Sequence, residues 1–500
     1  MQIGLDFFQI LDFHEPSTKV SIQSKRYTMQ RIHQHIALEN VRMIIFLYLM
    51  TLGFAQAFAP SDLITISVVL SILISALTLL VPRRHGIHIR LGVQFLLSIV
   101  FLMIAQTSLL LHSLQYGPDP HGVPHMLSYA VVFILFWGLF EVYIKMRREP
   151  IERIFRFVSL GVMFVSAYVI VEFITRNLFD FQIDRFVPRP SQHSFSALYF
   201  IGHTGLFRAR GLASEPGLTA LYLLMFAPIV YYYFAVCLRN ILRAILVLTL
   251  VGTAILFTFS AAALFEVLAA FFVVGVTHSL LAGKSRVRPR FARASVRGFI
   301  VGGFFAALFG IWMSNGKLLI GFEAAFRKIQ LSDVTSGSRR DRWGSAIEIF
   351  NRSPLLGNGP GAAVSENGTG STSLYLDVLT DSGVVGALVF LLILAVTFVR
   401  IIHLSSEIKW VYLFSFTVAI VHYSVISDYW YPWLWVLFAL VNYQRELEVS
   451  GGSSRLTGWG YPLKRPCPGQ QATTPTRRSP SARSVLAPGQ EPPHRRPEGR

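Results

Sequence analysis

Two arginine-containing polar stretches hold the residues best suited to chemistry, and the first of them ends at a predicted helix start. Arg208 and Arg210 precede Ser214, Glu215 and Pro216. A hydroxyl residue, an acid and a proline in this order are typical of the first turn of a helix. The free N–H groups of a helix start carry partial positive charge, so with two arginines beside them they are suited to binding phosphate. Contact of these arginines with lipid headgroups is an equally good interpretation.

The second stretch predicts an amphipathic helix lying at a membrane surface. Its apolar residues recur at helical spacing, and they are Trp343, Ile347 and Phe350. The predicted first turn holds Arg339, Arg340 and Arg342, with only Asp341 opposing them. Cations at a helix start are disfavoured by up to about 1 kcal/mol each, so an anion is expected to neutralise them. Phosphate is the best candidate because arginine binds it in a bidentate fork; lipid headgroups remain the alternative.

A glycine-rich turn at residues 357–361 follows this helix, and its backbone is suited to a close approach to a ligand. It lacks the Lys-Ser/Thr pair that completes a nucleotide-binding P-loop. The sequence therefore gives no reason to expect nucleotide binding.

Acidic residues inside apolar runs are the other candidates, because a carboxylate is costly in hydrocarbon. They are Glu141, Glu172 and Glu266. Glu266 has three interpretations: a partner for a loop arginine, a catalytic base, or one side of an interhelical hydrogen bond. The loop histidines His193 and His203 are interpreted as solvated polar residues rather than bases.

Composition places the chain in a bilayer. Of its 500 residues, 53% are hydrophobic and 14% are charged, whereas soluble domains carry about 25% charged residues. The net charge of +18 does not indicate nucleic-acid binding, because no nucleic-acid-binding module accompanies it. The two cysteines, Cys237 and Cys467, are too few and too far apart for a disulfide framework or a metal cluster.

The fold predicted from these patterns is an all-α polytopic membrane protein with about twelve transmembrane helices. A span needs about 20 mostly apolar residues. Such runs lie near residues 42–59, 62–81, 91–111, 125–144, 154–174, 217–236, 243–259, 261–281, 298–314, 384–402, 410–427 and 429–444.

Lys and Arg fall in alternate connections between these runs, which predicts that both termini are cytoplasmic. In the resulting organisation, a cytoplasmic segment without a cleaved signal (1–41) precedes a first group of spans (42–174) and a large outer loop (175–216). A second group of spans (217–314) is followed by a second large outer loop (315–383), a last group of spans (384–444) and a disordered basic tail (445–500).

Three segments in this order resemble the bacterial O-antigen polymerase and O-antigen ligase family, which includes exopolysaccharide repeat-unit polymerases. They read RARGLASEPG at 208–217, RWGSAIEIFNRSPLLGNGPG at 342–361 and SLYLDVLTDSGVVGALVFLLIL at 373–394. With the spans between them they cover about half of the chain, and the combination is more specific than any one piece.

The resemblance implies a GT-C-like glycosyltransferase of the bacterial inner membrane that acts on undecaprenyl-pyrophosphate-linked glycans at the periplasmic face. Arg208 or Arg210 and Arg339 or Arg342 would hold the pyrophosphate, and Glu215 or Glu266 would be a partner or base. It implies no metal and no cofactor, and as partners it implies the membrane lipid, a flippase and a chain-length regulator.

Two departures from the family pattern bear on the reaction. Thr372 and Ser373 stand where many members, ligases in particular, carry His-Asn, and Ser260 and Ala261 replace the family's Ser-Arg. A ligase must activate a hydroxyl on its lipid A core acceptor, so the missing histidine favours a polymerase. The alternatives are the ligase and a lipid-linked oligosaccharide flippase or secondary transporter, although no internal repeat of the kind common in transporters is evident.

Overall fold

The computed structural model describes residues 42–61, 64–80, 92–189, 206–282, 334–368 and 370–453. Every regular element of these ranges is helical. The helices are α1 (Arg42–Phe54), α2 (Ile66–Leu80), α3 (Val93–Tyr116), α4 (Gly122–Arg147), α5 (Ile151–Phe179), α6 (Pro216–Cys237), α7 (Ile241–Thr258), α8 (Ala261–Ala282), α9 (Val334–Arg352), α10 (Ala362–Asn367), α11 (Leu374–Ile402), α12 (Ile408–His422) and α13 (Trp433–Ser453).

The prediction of an all-helical membrane protein is confirmed for this part of the chain. Seven of its helices, α3 to α8 and α11, are long and apolar enough to cross a membrane, and α1, α2 and α12 are shorter apolar helices. The span expected near residues 298–314 lies outside the described residues. The helix expected at 429–444 begins at Trp433, after the turn that contains Tyr429 and Tyr431, and continues to Ser453.

The centre of the bundle is α6, in which every residue from Leu218 to Tyr232 is buried. A helix that is apolar on all sides is stable only when neighbours surround it, and α6 contacts α5, α7, α8 and α12. In contrast, α8 presents large exposed apolar side chains, including Phe265 and Phe272. Such a surface suits contact with lipid, so α8 lies at the edge of the bundle.

Helix α11 differs most from its predicted bounds, since it begins ten residues earlier than the span expected from Val384. Its two parts join at Gly383, which has non-helical angles (φ 63°, ψ −168°). The residues before this kink had been assigned to the second long loop. They form a helical segment of their own, and Gly383 joins it to the rest of α11 because glycine adopts the required positive φ without steric cost.

The described parts of both long loops lie at one end of the bundle, which we call the loop face; it carries residues 183–189 and 206–215, α9, α10 and the connection 423–432. The amide of Phe58, after α1, donates to the carbonyl of Pro188 at 2.8 Å. The hydroxyl of Ser365, in α10, donates to Asp119, after α3, at 2.6 Å. The two loops therefore meet over the same set of helix ends.

The opposite end of the bundle holds the basic last turn of α4 and a buried polar network. Arg400 donates to Asn442 at 2.5 Å, and the Asn442 amide donates to Glu141 at 2.7 Å. Glu141 also receives a hydrogen bond from Trp137 and pairs with Lys145. Glu141 thus has a structural partner set far from the loop face.

Candidate functional site

Three helix starts meet at the loop face. Glu215 occupies the N-cap position of α6 without a side-chain capping bond, and Pro216 is the first residue of the helix. The start of α8 lies beside it, since a methyl group added to Gly217 would lie 3.6 Å from the Ile426 side chain and 4.0 Å from the Ser260 hydroxyl. At the start of α11, the Leu374 amide donates to the Ile426 carbonyl at 3.3 Å. The positive ends of three helix dipoles are thereby brought close together.

The arginines of α9 face this junction. Arg339 is exposed, but desolvation by the surrounding protein lowers its pKa. The negative charge of Glu215 acts to raise this pKa, and the positive charge of Arg342 lowers it further. These interactions place Arg339 near Glu215, and Arg342 lies one turn further along α9. The structure therefore brings together three of the predicted site residues, two from the second loop and one from the first.

The prediction that Arg339, Arg340 and Arg342 lie in the first turn of their helix is wrong. Helix α9 begins at Val334, so Arg339 is its sixth residue rather than part of the first turn. A helix dipole acts mainly on charges within the first turn, and repulsion by the dipole therefore gives no reason for an anion at these arginines. The remaining reason is the clustering of Arg339 and Arg342 near other helix starts.

Arg208 lies at the end of α7, immediately before the start of α8. Its Nε donates to the carbonyl of Thr258 at 3.1 Å, and Thr258 is the last residue of α7. A cation at a helix C-terminus is stabilised by the negative end of the dipole. This contact holds Arg208 next to Ser260, whose hydroxyl accepts from the Ala263 amide at 3.4 Å.

Arg210 has a partner inside the protein. Its Nη2 donates to Asp184 at 2.8 Å, and both side chains are buried. The neighbouring Gly211 amide donates to Glu172 at 2.7 Å, and the Thr219 hydroxyl donates to the Arg210 carbonyl at 2.5 Å. These bonds fix the first loop on α5 and α6, and they give Glu172 a structural role.

The glycine-rich turn approaches protein rather than open space. The amides of Asn358 and Gly359 donate to the carbonyls of Thr380 and Asp381 at 2.7 and 3.1 Å. A methyl group on Gly357 would lie 2.5 Å from the Asp381 carbonyl carbon. The glycines therefore allow the turn to dock on the kink of α11, which supports α9 above it.

Two aspartates of α11 hold this arrangement. Asp377 accepts from the Ser371 amide at 3.0 Å, and Asp381 accepts from the Gly361 amide at 3.1 Å and from the Tyr129 hydroxyl at 2.9 Å. Neither residue was among the site residues predicted from the sequence. Their spacing of one helical turn, with Asp381 two residues before Gly383, was the available signal.

Asp428, in the connection between α12 and α13, is a further acid at the junction. Burial raises its pKa to about 8, and the nearby charges of Glu215 and Asp377 act in the same direction. At neutral pH most of this carboxyl group is therefore protonated. It adds little negative charge beside the arginines.

Glu266 makes the interhelical hydrogen bond that was one of its three interpretations. Its Oε1 lies 2.5 Å from Nδ1 of His422, and both side chains are fully buried. The alternative of a direct pair with a loop arginine is not observed among the described residues. His422 was missed because it is 156 residues from Glu266; a single histidine in the apolar run of α12 was the only signal.

The described residues contain no group of three or more His, Cys, Asp or Glu side chains placed to hold a metal ion. No protein-family model matches the chain, and no curated protein matches it at a significant level.

Proposed function

We propose that this protein is a membrane glycosyltransferase that joins undecaprenyl-pyrophosphate-linked oligosaccharide repeat units into a surface polysaccharide. The observation that carries the proposal is the junction of the two loops, where Glu215 at the start of α6 lies close enough to Arg339 to act on its pKa. A pyrophosphate bound there would be neutralised by arginine and by helix dipoles together. The resemblance of the same segments to polysaccharide polymerases supports this assignment.

In this proposal the loop face is periplasmic and the chain spans the bacterial inner membrane about twelve times, with both termini in the cytoplasm. Basic residues at the opposite end support the orientation, since Lys145 and Arg147 end α4 there. The lipid-linked substrate would approach from the bilayer. Its pyrophosphate would then lie at headgroup depth, level with the junction.

The reaction would be a displacement at the anomeric carbon of the growing chain. A hydroxyl of the incoming unit loses its proton to a base and its oxygen bonds to that carbon. The bond from the carbon to the pyrophosphate oxygen breaks, and the electron pair leaves with the undecaprenyl pyrophosphate. Arg339 and Arg342 would stabilise the charge that develops on this leaving group. Glu215, exposed beside them, is in place to orient the arginines.

The two arginines of the first loop would have different roles in this reaction. Arg208, held at the start of α8 by its bond to Thr258, would be a further pyrophosphate contact. Arg210 would contribute by stabilising the structure, because its ion pair with Asp184 fixes the segment that carries Arg208.

The test is the glycan pattern of a deletion strain carrying Arg339→Ala or Arg342→Ala. We expect long chains to collapse to single repeat units, while the protein remains in the membrane at the normal level. Arg352→Ala is the matched control, because Arg352 lies at the far end of α9 and pairs with Glu366 at 2.6 Å. Normal chain lengths in both junction variants would contradict the proposal.

The same strains separate the two other functions. Long chains that persist on undecaprenyl pyrophosphate, without transfer to lipid A core, would identify a ligase. Repeat units that accumulate on the cytoplasmic side of the membrane would identify a flippase or transporter.

A further inference from the structure

The buried pair of Glu266 and His422 contains two polar atoms that no residue of the described structure satisfies. Nδ1 of His422 and Oε1 of Glu266 bond to one another at 2.5 Å. The other two atoms, His422 Nε2 and Glu266 Oε2, are buried without a hydrogen-bond partner. The side chains are 0% and 1% exposed. An unsatisfied buried polar atom costs about 1–3 kcal/mol, so two in one pair call for a partner that the described residues do not supply.

The pair lies directly beneath the junction of helix starts. Glu266 is the sixth residue of α8, about 7 Å from the helix start at 1.5 Å per residue. His422 is the last residue of α12. The next residue, Tyr423, accepts from the Leu374 amide at the start of α11 at 3.0 Å. The imidazole therefore lies where the end of α12 contacts both α8 and α11, at the candidate site.

The geometry is that of a histidine oriented by a carboxylate. The carboxylate fixes one ring nitrogen and leaves the other one available for proton transfer. Positive charge on this imidazole would be stabilised by Glu266 and by the negative end of the α12 dipole, since His422 ends that helix. Among the described residues, Glu266 is the charged side chain that bonds to this histidine.

We propose that His422, oriented by Glu266, is the base that takes the proton from the acceptor hydroxyl. This inference rests on the proposed glycosyl transfer. The hydroxyl O–H bond breaks, the proton passes to Nε2, and the oxygen bonds to the anomeric carbon as the pyrophosphate departs with its electron pair. Nε2 is buried without a partner in the structure; its hydrogen bond to the acceptor hydroxyl would form in the complex with substrate, where catalytic hydrogen bonds tighten.

The decisive variant is His422→Asn. The asparagine amide replaces Nδ1 and keeps a hydrogen bond to Glu266, but nothing replaces Nε2. Membranes carrying the full-length variant are given the lipid-linked repeat units that accumulate in a deletion strain, and chain extension is timed. We expect extension to slow by about 10²–10⁴-fold, the usual contribution of a general base. His403→Asn, an exposed histidine at the other end of α11, is the control and keeps the normal rate.

The pH dependence separates a base from a purely structural pair. For the unaltered protein we expect extension to fall on the acidic side, where the imidazole is protonated. In Glu266→Gln we expect the position of this fall to change, because the carboxylate that bonds to the imidazole is gone. This measurement tests whether His422 is the base even when the His422→Asn protein fails to accumulate in the membrane.

Three outcomes would overturn the inference: a normal rate in His422→Asn, a rate without an acidic fall, or an acidic fall that Glu266→Gln leaves in place. Failure of the proposed function is recognised separately. In that case Arg339→Ala extends chains normally as well, whereas loss in Arg339→Ala with a normal His422→Asn rejects only the role of the histidine.

Discussion

The arginines of the loop face lie in different surroundings, although they are residues of one type. Arg339 is exposed and its positive charge faces Glu215 and a second arginine. Arg210 is buried in an ion pair with Asp184. Removing one member of a buried pair leaves an uncompensated charge, whereas removing an exposed charge costs little stability.

At this scale we expect Arg210→Ala and Asp184→Ala each to lower stability by about 3–5 kcal/mol. The double variant should be less destabilised than the sum of the two, since neither charge is then left alone. Thermal unfolding of the detergent-extracted protein measures both effects, with the exposed Arg185→Ala as control. An Arg210→Ala protein of normal stability that fails to extend chains would instead assign Arg210 to the pyrophosphate.

The element that positions the site is the kinked helix α11. The glycine-rich turn fits against it so closely that a methyl group on Gly383 would lie 2.3 Å from the Leu355 carbonyl oxygen. The turn is continuous with the end of α9, and α9 carries the exposed arginines. Any shift at the kink is therefore passed to the arginine pair.

We expect Gly383→Ala to lower the free energy of unfolding by at least about 1–3 kcal/mol. The added methyl group clashes with backbone atoms, and the residue has φ +63°, which alanine rarely adopts. Gly275→Ala is the matched control: a methyl group there meets nothing within 4 Å, and alanine favours a helix. Melting temperature and membrane yield measure the difference. Equal stability of the two variants would show that the kink is not fixed by Gly383.

On the scale of the whole molecule, both loops gather at one end of a helical bundle and the buried polar network of Arg400, Asn442 and Glu141 lies at the other. This polarity fits a protein whose chemistry takes place on one side of a membrane. The proposed function requires that side to be the periplasm.

Labelling of single cysteines tests this orientation. In a background with Cys237 and Cys467 replaced by Ser, Arg185→Cys reports the loop face and His403→Cys the opposite end; both native side chains are exposed. We expect a membrane-impermeant thiol reagent added to intact spheroplasts to label position 185, and to label position 403 only after lysis. The reverse pattern would exclude the glycosyltransferase proposal.

The class of fold follows from the amino-acid sequence alone. Helices of about 20 apolar residues are local, because each satisfies its own backbone hydrogen bonds in lipid, and α3 to α8 lie close to their predicted positions. The sequence also identified the polar segments around Arg208 and Arg339, since clustered arginine between apolar runs is visible without a structure.

Which of these residues share a site depends on how the helices pack. The early start of α9 and the kinked start of α11 depend on docking between distant segments, which no local pattern encodes. The ion pair of Arg210 with Asp184, the contact of Arg339 with Glu215 and the pair of His422 with Glu266 likewise join residues far apart in the chain. Electrostatic contacts and hydrogen bonds depend on distance in space, so they become defined only when the helices pack.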